Sequence, residues 1–343
     1  MSEAKRVFVV GATGYIGRQV VRELVGRGHE VVCLARPHAG VGGRADEAAT
    51  REALAGAEVR FGEVTEPGSL RAAGFKSERF DAVVSCLATR GGGIADAWRI
   101  EHRANLDVLA AARSAGVTHF VLLSAICVQK PKLAFQHAKL AFEAALIGSG
   151  VHYSIVRPTA FFKSLAGQVE KVRAGKPFAV FGSGELTACK PISEADLARF
   201  LADCLADPSR RDQVLPVGGP GPAITPLQQG ALLFELCARP PRYRRVPVAL
   251  LDAVISVLSG LSRLFPKLAD TAEFVRIGRY YATESMLVLD EATGRADEAA
   301  TPSYGTDTLR GFYQRVLQQG LGGQELGEHA FFAAQVKPKA PPP

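Results

Sequence analysis

Two rhythms of apolar positions alternate along the first half of the chain. Short runs read as strands at 6–10, 30–35, 58–61, 80–87, 118–124 and 151–156, the first a continuous β-branched run as a strand buried on both faces requires. Between several of them the spacing changes to that of helices, over 18–27, 96–115 and 135–147. In the first helix Val20, Val21, Leu24 and Val25 share a face, and Gly28 closes it as a C-terminal cap. Strands alternating with helices predict an α/β fold built on a Rossmann-type, doubly wound parallel sheet.

Beyond Pro158 the rhythm loosens. Residues 166–173 read as helical. Ser193 caps a helix running to 205, with Ala195, Leu197, Leu201 and Leu205 along one side, and 213–217 reads as another strand. The expected organisation is a sheet domain over 5–157, to which 193–218 returns. A smaller, mostly helical C-terminal part is formed by 158–192 and 219–332, and 333–343 is a disordered tail. The stretch 246–265 is strongly apolar, but Asp252, Ser256, Ser259 and Arg263 form one polar stripe opposite Leu251, Val254, Ile255, Leu258, Leu261 and Phe265. That predicts an amphipathic helix packed on the core, in preference to a membrane-surface helix, and excludes a spanning one. The octapeptide GRADEAAT occurs at 43–50 and again at 294–301 with unmatched flanks, which reads as chance in an alanine-rich chain.

Composition narrows the class without choosing a function. The chain has 343 residues, 47% hydrophobic and 22% charged, with a net charge of +7, an ordinary globular balance. Six scattered cysteines form no C-x-x-C pair and no zinc spacing, so no metal site is expected. The apolar run at 7–10 is too short for a signal peptide, and the expectation is a reducing, cytoplasmic setting with free thiols. The basic residues look dispersed and no nucleic-acid motif accompanies them. No pattern in the sequence specifies an oligomeric state.

The strongest chemical signal is Gly11-Ala12-Thr13-Gly14-Tyr15-Ile16-Gly17, which leaves a buried strand and opens a helix. In a dinucleotide site Gly11 allows the tight turn, Gly14 lets the backbone approach a pyrophosphate, and Gly17 permits close helix–strand packing. Thr13, Tyr15 and Ile16 fall in the same cofactor-binding turn. At the end of the second strand, where an acid would grip a ribose 2′-hydroxyl, stands Arg36, a planar cation suited to a 2′-phosphate. NADPH is therefore expected over NADH, with His38 and Arg44 as weaker aids. The sheet domain becomes the NADP-binding part and the remainder the substrate-binding part.

Ser124 at a strand end and Lys139 on the following helix, together with the glycine spacing, resemble the short-chain dehydrogenase/reductase superfamily. The tyrosine expected four residues before the lysine is Phe135, which transfers no proton. That argues against epimerase or alcohol dehydrogenase chemistry and leaves hydride delivery intact. Lys139 reads as catalytic and, with Ser124, as cofactor-binding; its plain alternative is a helical salt bridge to Glu143.

Longer stretches narrow the resemblance. They are Ser124–Pro131 (SAICVQKP), 135–139 (FQHAK), 157–165 (RPTAFFKSL), 189–193 (CKPIS), 276–286 (RIGRYYATESM), 302–305 (PSYG) and 323–327 (GQELG). Together they resemble the NADPH-dependent divinyl chlorophyllide/protochlorophyllide 8-vinyl reductases, an atypical branch of that superfamily. The resemblance implies reduction of a conjugated vinyl group to ethyl. Hydride would reach the terminal vinyl carbon, charge would spread into the macrocycle, and a proton would complete the product. His137, Tyr280, Tyr281, Glu284 or water are the candidates for the proton. Phe161 and Phe162 are expected as walls of a flat pocket and Lys163 as a partner for a propionate. The substrate implied is a divinyl chlorophyllide or protochlorophyllide, and peripheral contact with photosynthetic membranes is an accompanying expectation. Two alternatives are a non-catalytic NADP-sensing regulator or assembly factor on the same fold, and an isoflavone-reductase-like enzyme.

Overall fold

The computed structural model describes residues 3–39, 45–89 and 91–320. Strands β1 (Arg6–Val10), β2 (Glu30–Ala35), β3 (Glu58–Phe61), β4 (Ala82–Ser85), β5 (His119–Leu123), β6 (His152–Pro158), β7 (Phe178–Phe181), β8 (Gln213–Val217) and β9 (Tyr243–Val246) follow in chain order. Seven of them build one sheet in the order β3-β2-β1-β4-β5-β6-β8, every neighbouring pair parallel. The order reverses beside β1, so β1 and β4 part at their carboxyl ends, where doubly wound sheets bind nucleotides. The β-branched runs explain the placement, because β1, β4 and β5 are buried almost throughout.

The helices are α1 (Tyr15–Gly26), α2 (Glu47–Ala53), α3, α4 (Ala134–Ile147), α5 (Glu194–Ala206), α6 (Pro226–Leu236), α7 (Val248–Leu261), α8 (Leu268–Thr283) and α9 (Leu309–Gln319). Helix α3 runs as Ile94–Ala97, a π-helical turn Trp98–Ala104, and Asn105–Ser114. Helices α1 and α5 cover one face of the sheet through Val20, Val21, Leu24, Leu197 and Leu201. Helices α3 and α4 cover the other through Val108, Ala112, Phe142 and Leu146. Ser193 accepts from the Asp196 amide as the N-cap of α5.

A third core joins Phe162, Phe178, Phe234, Phe312 and Tyr313 beside the short parallel pair β7–β9. A fourth gathers Ile126, Cys127 and Leu133 with Ile277, Tyr280 and Met286. It seats α8 on the loop after β5, at the carboxyl edge of the sheet.

Two expectations change. Helix α3 starts at Ile94 and not at 96, and its π-turn shifts the face it presents. Helix α7 is not core-packed: none of its residues is buried, because α8 is its principal neighbour. The octapeptide is no structural unit. The described part of its first copy opens α2 behind the cap Asp46, whereas the second holds the hairpin strand Ala296–Asp297. All six cysteines are unpaired. Burial pushes Cys33, Cys86 and Cys189 up to about 12, so they are protonated, unreactive thiols.

One buried base sets an acid limit on the fold. His119 is 4% exposed; its Nε2 shares a 2.9 Å hydrogen bond with Ser154 Oγ, while Nδ1 has no partner. Burial, then the positive charge of Arg211, pushes the imidazole down to about 4 from 6.5. The unfolded chain therefore binds the proton first as pH falls. Stability present above pH 6.5 is lost between 6.5 and 4, amounting to roughly 3 kcal/mol. His119→Asn is expected to flatten that part of the stability curve in denaturant titrations at a series of pH values. An unchanged slope contradicts it.

Candidate active site

The turn between β1 and α1 is a cradle that side chains would fill. Gly11 has φ +74°, and a Cβ there would overlap the Cys86 carbonyl of the neighbouring strand's end. A Cβ on Gly17 would strike the Gly11 carbonyl, so helix and turn approach backbone to backbone. The Gly14 amide donates to Gly11 O at 3.0 Å, and Arg18 Nε reaches Thr13 O at 3.1 Å. Ile16 anchors the helix start in the core. This arrangement fits a pyrophosphate on the N-terminus of α1.

Tyr15 and Lys163 meet beside that turn. The Tyr15 hydroxyl donates to Glu194, and the Lys163 ammonium lies 4.8 Å from the Tyr15 ring centre. Burial, reinforced by the Glu194 carboxylate, pushes the phenol far up. Lys163 thus faces the cofactor turn. Phe161 bridges to Ile192 and is half-buried. Phe162 corrects the expectation of a pocket wall: it is fully buried, packed against Phe312. Arg36 stands exposed just beyond β2. Glu63 is half-buried, its amide donating to Ser69 Oγ, and Arg44 lies outside the described residues.

The lysine of α4 is buried with an acid that the sequence reading missed. Lys139 is 8% exposed and pairs at 2.8 Å with Glu101, 3% exposed, on the π-turn of α3. Glu101 Oε1 accepts from the Thr89 amide at 2.9 Å, which fixes the loop after β4. The expected alternative, Lys139 with Glu143, is corrected. Glu143 instead receives the Arg157 guanidinium and the Ser124 hydroxyl. Ser124 is thereby committed to a buried acid, and its hydroxyl makes no outward contact.

Beyond Lys139 the loop after β5 meets α8. The Tyr280 hydroxyl donates to Cys127 O at 2.9 Å, and Gln136 Nε2 donates to the same oxygen at 3.2 Å. Tyr281 lies within hydrogen-bond reach of the Cys127 thiol and feels the Glu101 carboxylate. Burial first, then Cys127, pushes its phenol well above 10. Yet its side chain is 45% exposed. Glu284 receives Lys130 and Lys132; burial opposes its ionisation, but the two ammonium groups win and hold it below the usual carboxylate range. Beside this cluster opens a cavity of about 390 Å³, lined by Ile126, Cys127, Lys130, Tyr280, Glu284 and Arg295.

Glu101 was findable. It falls on the face of α3 that also carries Ala97, Ala104 and Val108, an acid in an apolar stripe. The Cys127–Tyr281 contact spans more than 150 positions and leaves no local signal.

Comparison with known proteins decides the family. A model of NAD(P)H-binding proteins matches residues 11–208. The chain is 55% identical over 331 residues to the chloroplastic divinyl chlorophyllide a 8-vinyl-reductase of Oryza sativa subsp. indica, covering 95% of this chain and 82% of that protein. The chain belongs to the divinyl chlorophyllide a 8-vinyl-reductase family. The Arabidopsis thaliana member is 53% identical over 335 residues, covering 95% and 80%. Membership makes the chain an oxidoreductase, against the regulator reading. In fold it is similar to an NADPH-dependent quinone oxidoreductase from Escherichia coli solved with NADPH. That likeness has a TM-score of 0.64 at 17% identity and covers 91% of this chain and 99% of that one. Among the described residues no group of His, Cys, Asp and Glu is placed to hold a metal, and no helix is long and apolar enough to cross a membrane.

Proposed function

We propose that this chain reduces the 8-vinyl group of a divinyl chlorophyllide or protochlorophyllide to ethyl, with NADPH as reductant. The observation that carries this is the 55% identity across 95% of the chain to a relative named for that reaction. In this reading residues 5–157 with 193–218 hold the cofactor, and 158–192 with 219–332 shape the substrate side. The work takes place at the periphery of photosynthetic membranes.

NADPH, when bound, supplies the hydride. The turn Gly11–Gly17 holds the pyrophosphate, Arg36 holds the 2′-phosphate and Lys163 adds positive charge beside the turn. Lys139, oriented by its ion pair with Glu101, would hold the nicotinamide ribose. A charge delocalised over a tetrapyrrole does not need the alkoxide acid that Phe135 replaces. It still needs a proton, and elimination favours Tyr281. His137 is exposed and set off the Lys139 face, Tyr280 is committed to Cys127 O, and Glu284 is an ion-paired carboxylate. Tyr281 stays protonated at neutral pH and has free surface.

Purified protein with NADPH and a divinyl chlorophyllide is expected to convert the divinyl absorption bands to monovinyl ones as NADPH is consumed. No turnover with any divinyl tetrapyrrole overturns the assignment. Arg36→Glu is expected to weaken NADPH by about 10²-fold or more in kcat/KM while sparing NADH, because a charge-assisted fork becomes a repulsion. An unchanged preference removes Arg36 from the cofactor site.

A further inference from the structure

Helix α7 carries apolar side chains on its solvent side as well as on the side toward α8. Leu251, Ile255 and Leu258 are half-buried, and two polar groups tie the helix to α8: Ser259 Oγ accepts from Arg276 at 2.6 Å, and the exposed Asp252 receives Arg279. Further apolar side chains, on the helix and in the turn after it, face solvent. Leu250 is 55% exposed, Val257 60%, Leu264 75% and Phe265 60%, with Val254 and Leu261 between them. Successive spacings of four and three put 250, 254, 257 and 261 in one stripe of α7, and Leu264 and Phe265 follow in the turn after it. Six exposed apolar side chains between 250 and 265 are more than chance scatter.

Charge frames that stripe. The +7 looks dispersed over the whole chain, yet residues 239–267 carry Arg239, Arg242, Arg244, Arg245, Arg263 and Lys267 against Asp252 alone, a surplus of five. All six cations are exposed. Arg244 and Arg245 precede the helix, and Arg263 and Lys267 follow it, so both ends of the apolar stripe are basic. A 14-residue helix is about 21 Å long, too short to cross a hydrocarbon core of about 30 Å, but suited to lie in its interface.

We propose that the outer face of α7, with the cations at its two ends, docks on an anionic lipid surface. A second copy of the chain is the poorer occupant. With both ends positive, parallel and antiparallel pairing alike set cation against cation. The assignment extends the membrane contact proposed above to a named surface. It stands on the helix itself, so a failure of the proposed reaction leaves it untouched.

The test is flotation of the full chain with phosphatidylcholine vesicles and with mixed phosphatidylcholine/phosphatidylglycerol vesicles, at low and high salt. Expected is binding to the mixed vesicles, weakened by salt, with little on the neutral ones. The double substitution Val257→Asp, Leu264→Asp is expected to cut vesicle binding at least about tenfold, with reductase activity on a dissolved substrate unchanged. Arg244→Glu with Arg245→Glu is expected to weaken binding by a similar factor and to reduce its salt dependence. No binding to either vesicle, or equal binding by both variants and the parent, overturns the proposal. A dimer in sedimentation that the Val257/Leu264 variant dissolves also overturns it, in favour of self-association.

Discussion

Lys139→Ala is expected to lower kcat/KM by about 10²–10³-fold, since it removes the cation proposed to hold the nicotinamide ribose. It is also expected to destabilise the fold by about 3–5 kcal/mol, because Glu101 is left as a buried, unpaired acid. The two effects separate in a second variant. Lys139→Met with Glu101→Gln removes both charges and keeps the volume. It should regain most of the stability in chemical denaturation and none of the turnover. If activity returns along with stability, Lys139 is a structural ion pair and its catalytic role is gone.

The second large effect is expected at Tyr281. Phenylalanine preserves the ring against Tyr280, 5.7 Å away between centres, and removes only the hydroxyl. Loss of a general acid typically costs about 10²–10⁴-fold. Tyr281→Phe should fall in that range in kcat, with KM for the tetrapyrrole little changed and NADPH binding intact. Because burial and Cys127 hold the phenol well above 10, the parent enzyme should show no loss of activity from this group as pH rises through 8 and 9. A variant with parental kcat assigns the proton to water.

The sheet was legible because its signal is local. The unbroken apolar run at 31–35, buried throughout, marks β2, and the bounds read for β3 and β8 match the strands as well. Gly11, Gly14 and Gly17 announce their turn for the same reason: the backbone constraint sits within seven positions. Helix α7 shows where this stops. Periodicity established that it is amphipathic, but how much of it is covered depends on α8, its principal neighbour, which leaves Leu250, Val254, Val257 and Leu261 exposed. Phe162 failed similarly, since position after a strand says nothing of Phe312. The site was half legible. Lys139 was visible from its helix face and Glu101 from the apolar stripe it interrupts, but their pairing required α3 and α4 to pack together, and Tyr281 required the fourth core that folds α8 onto Cys127.

In the proposed reaction hydride passes directly to the vinyl group and protonation from the protein follows. NADPH carrying deuterium at C4 on the transferring face, in ordinary water, tests it most directly. The 8-ethyl product should carry one deuterium on its terminal carbon, and unlabelled NADPH in deuterated water should place the label on the inner carbon instead. Product labelled only from solvent, or not formed at all from divinyl chlorophyllide, would contradict it.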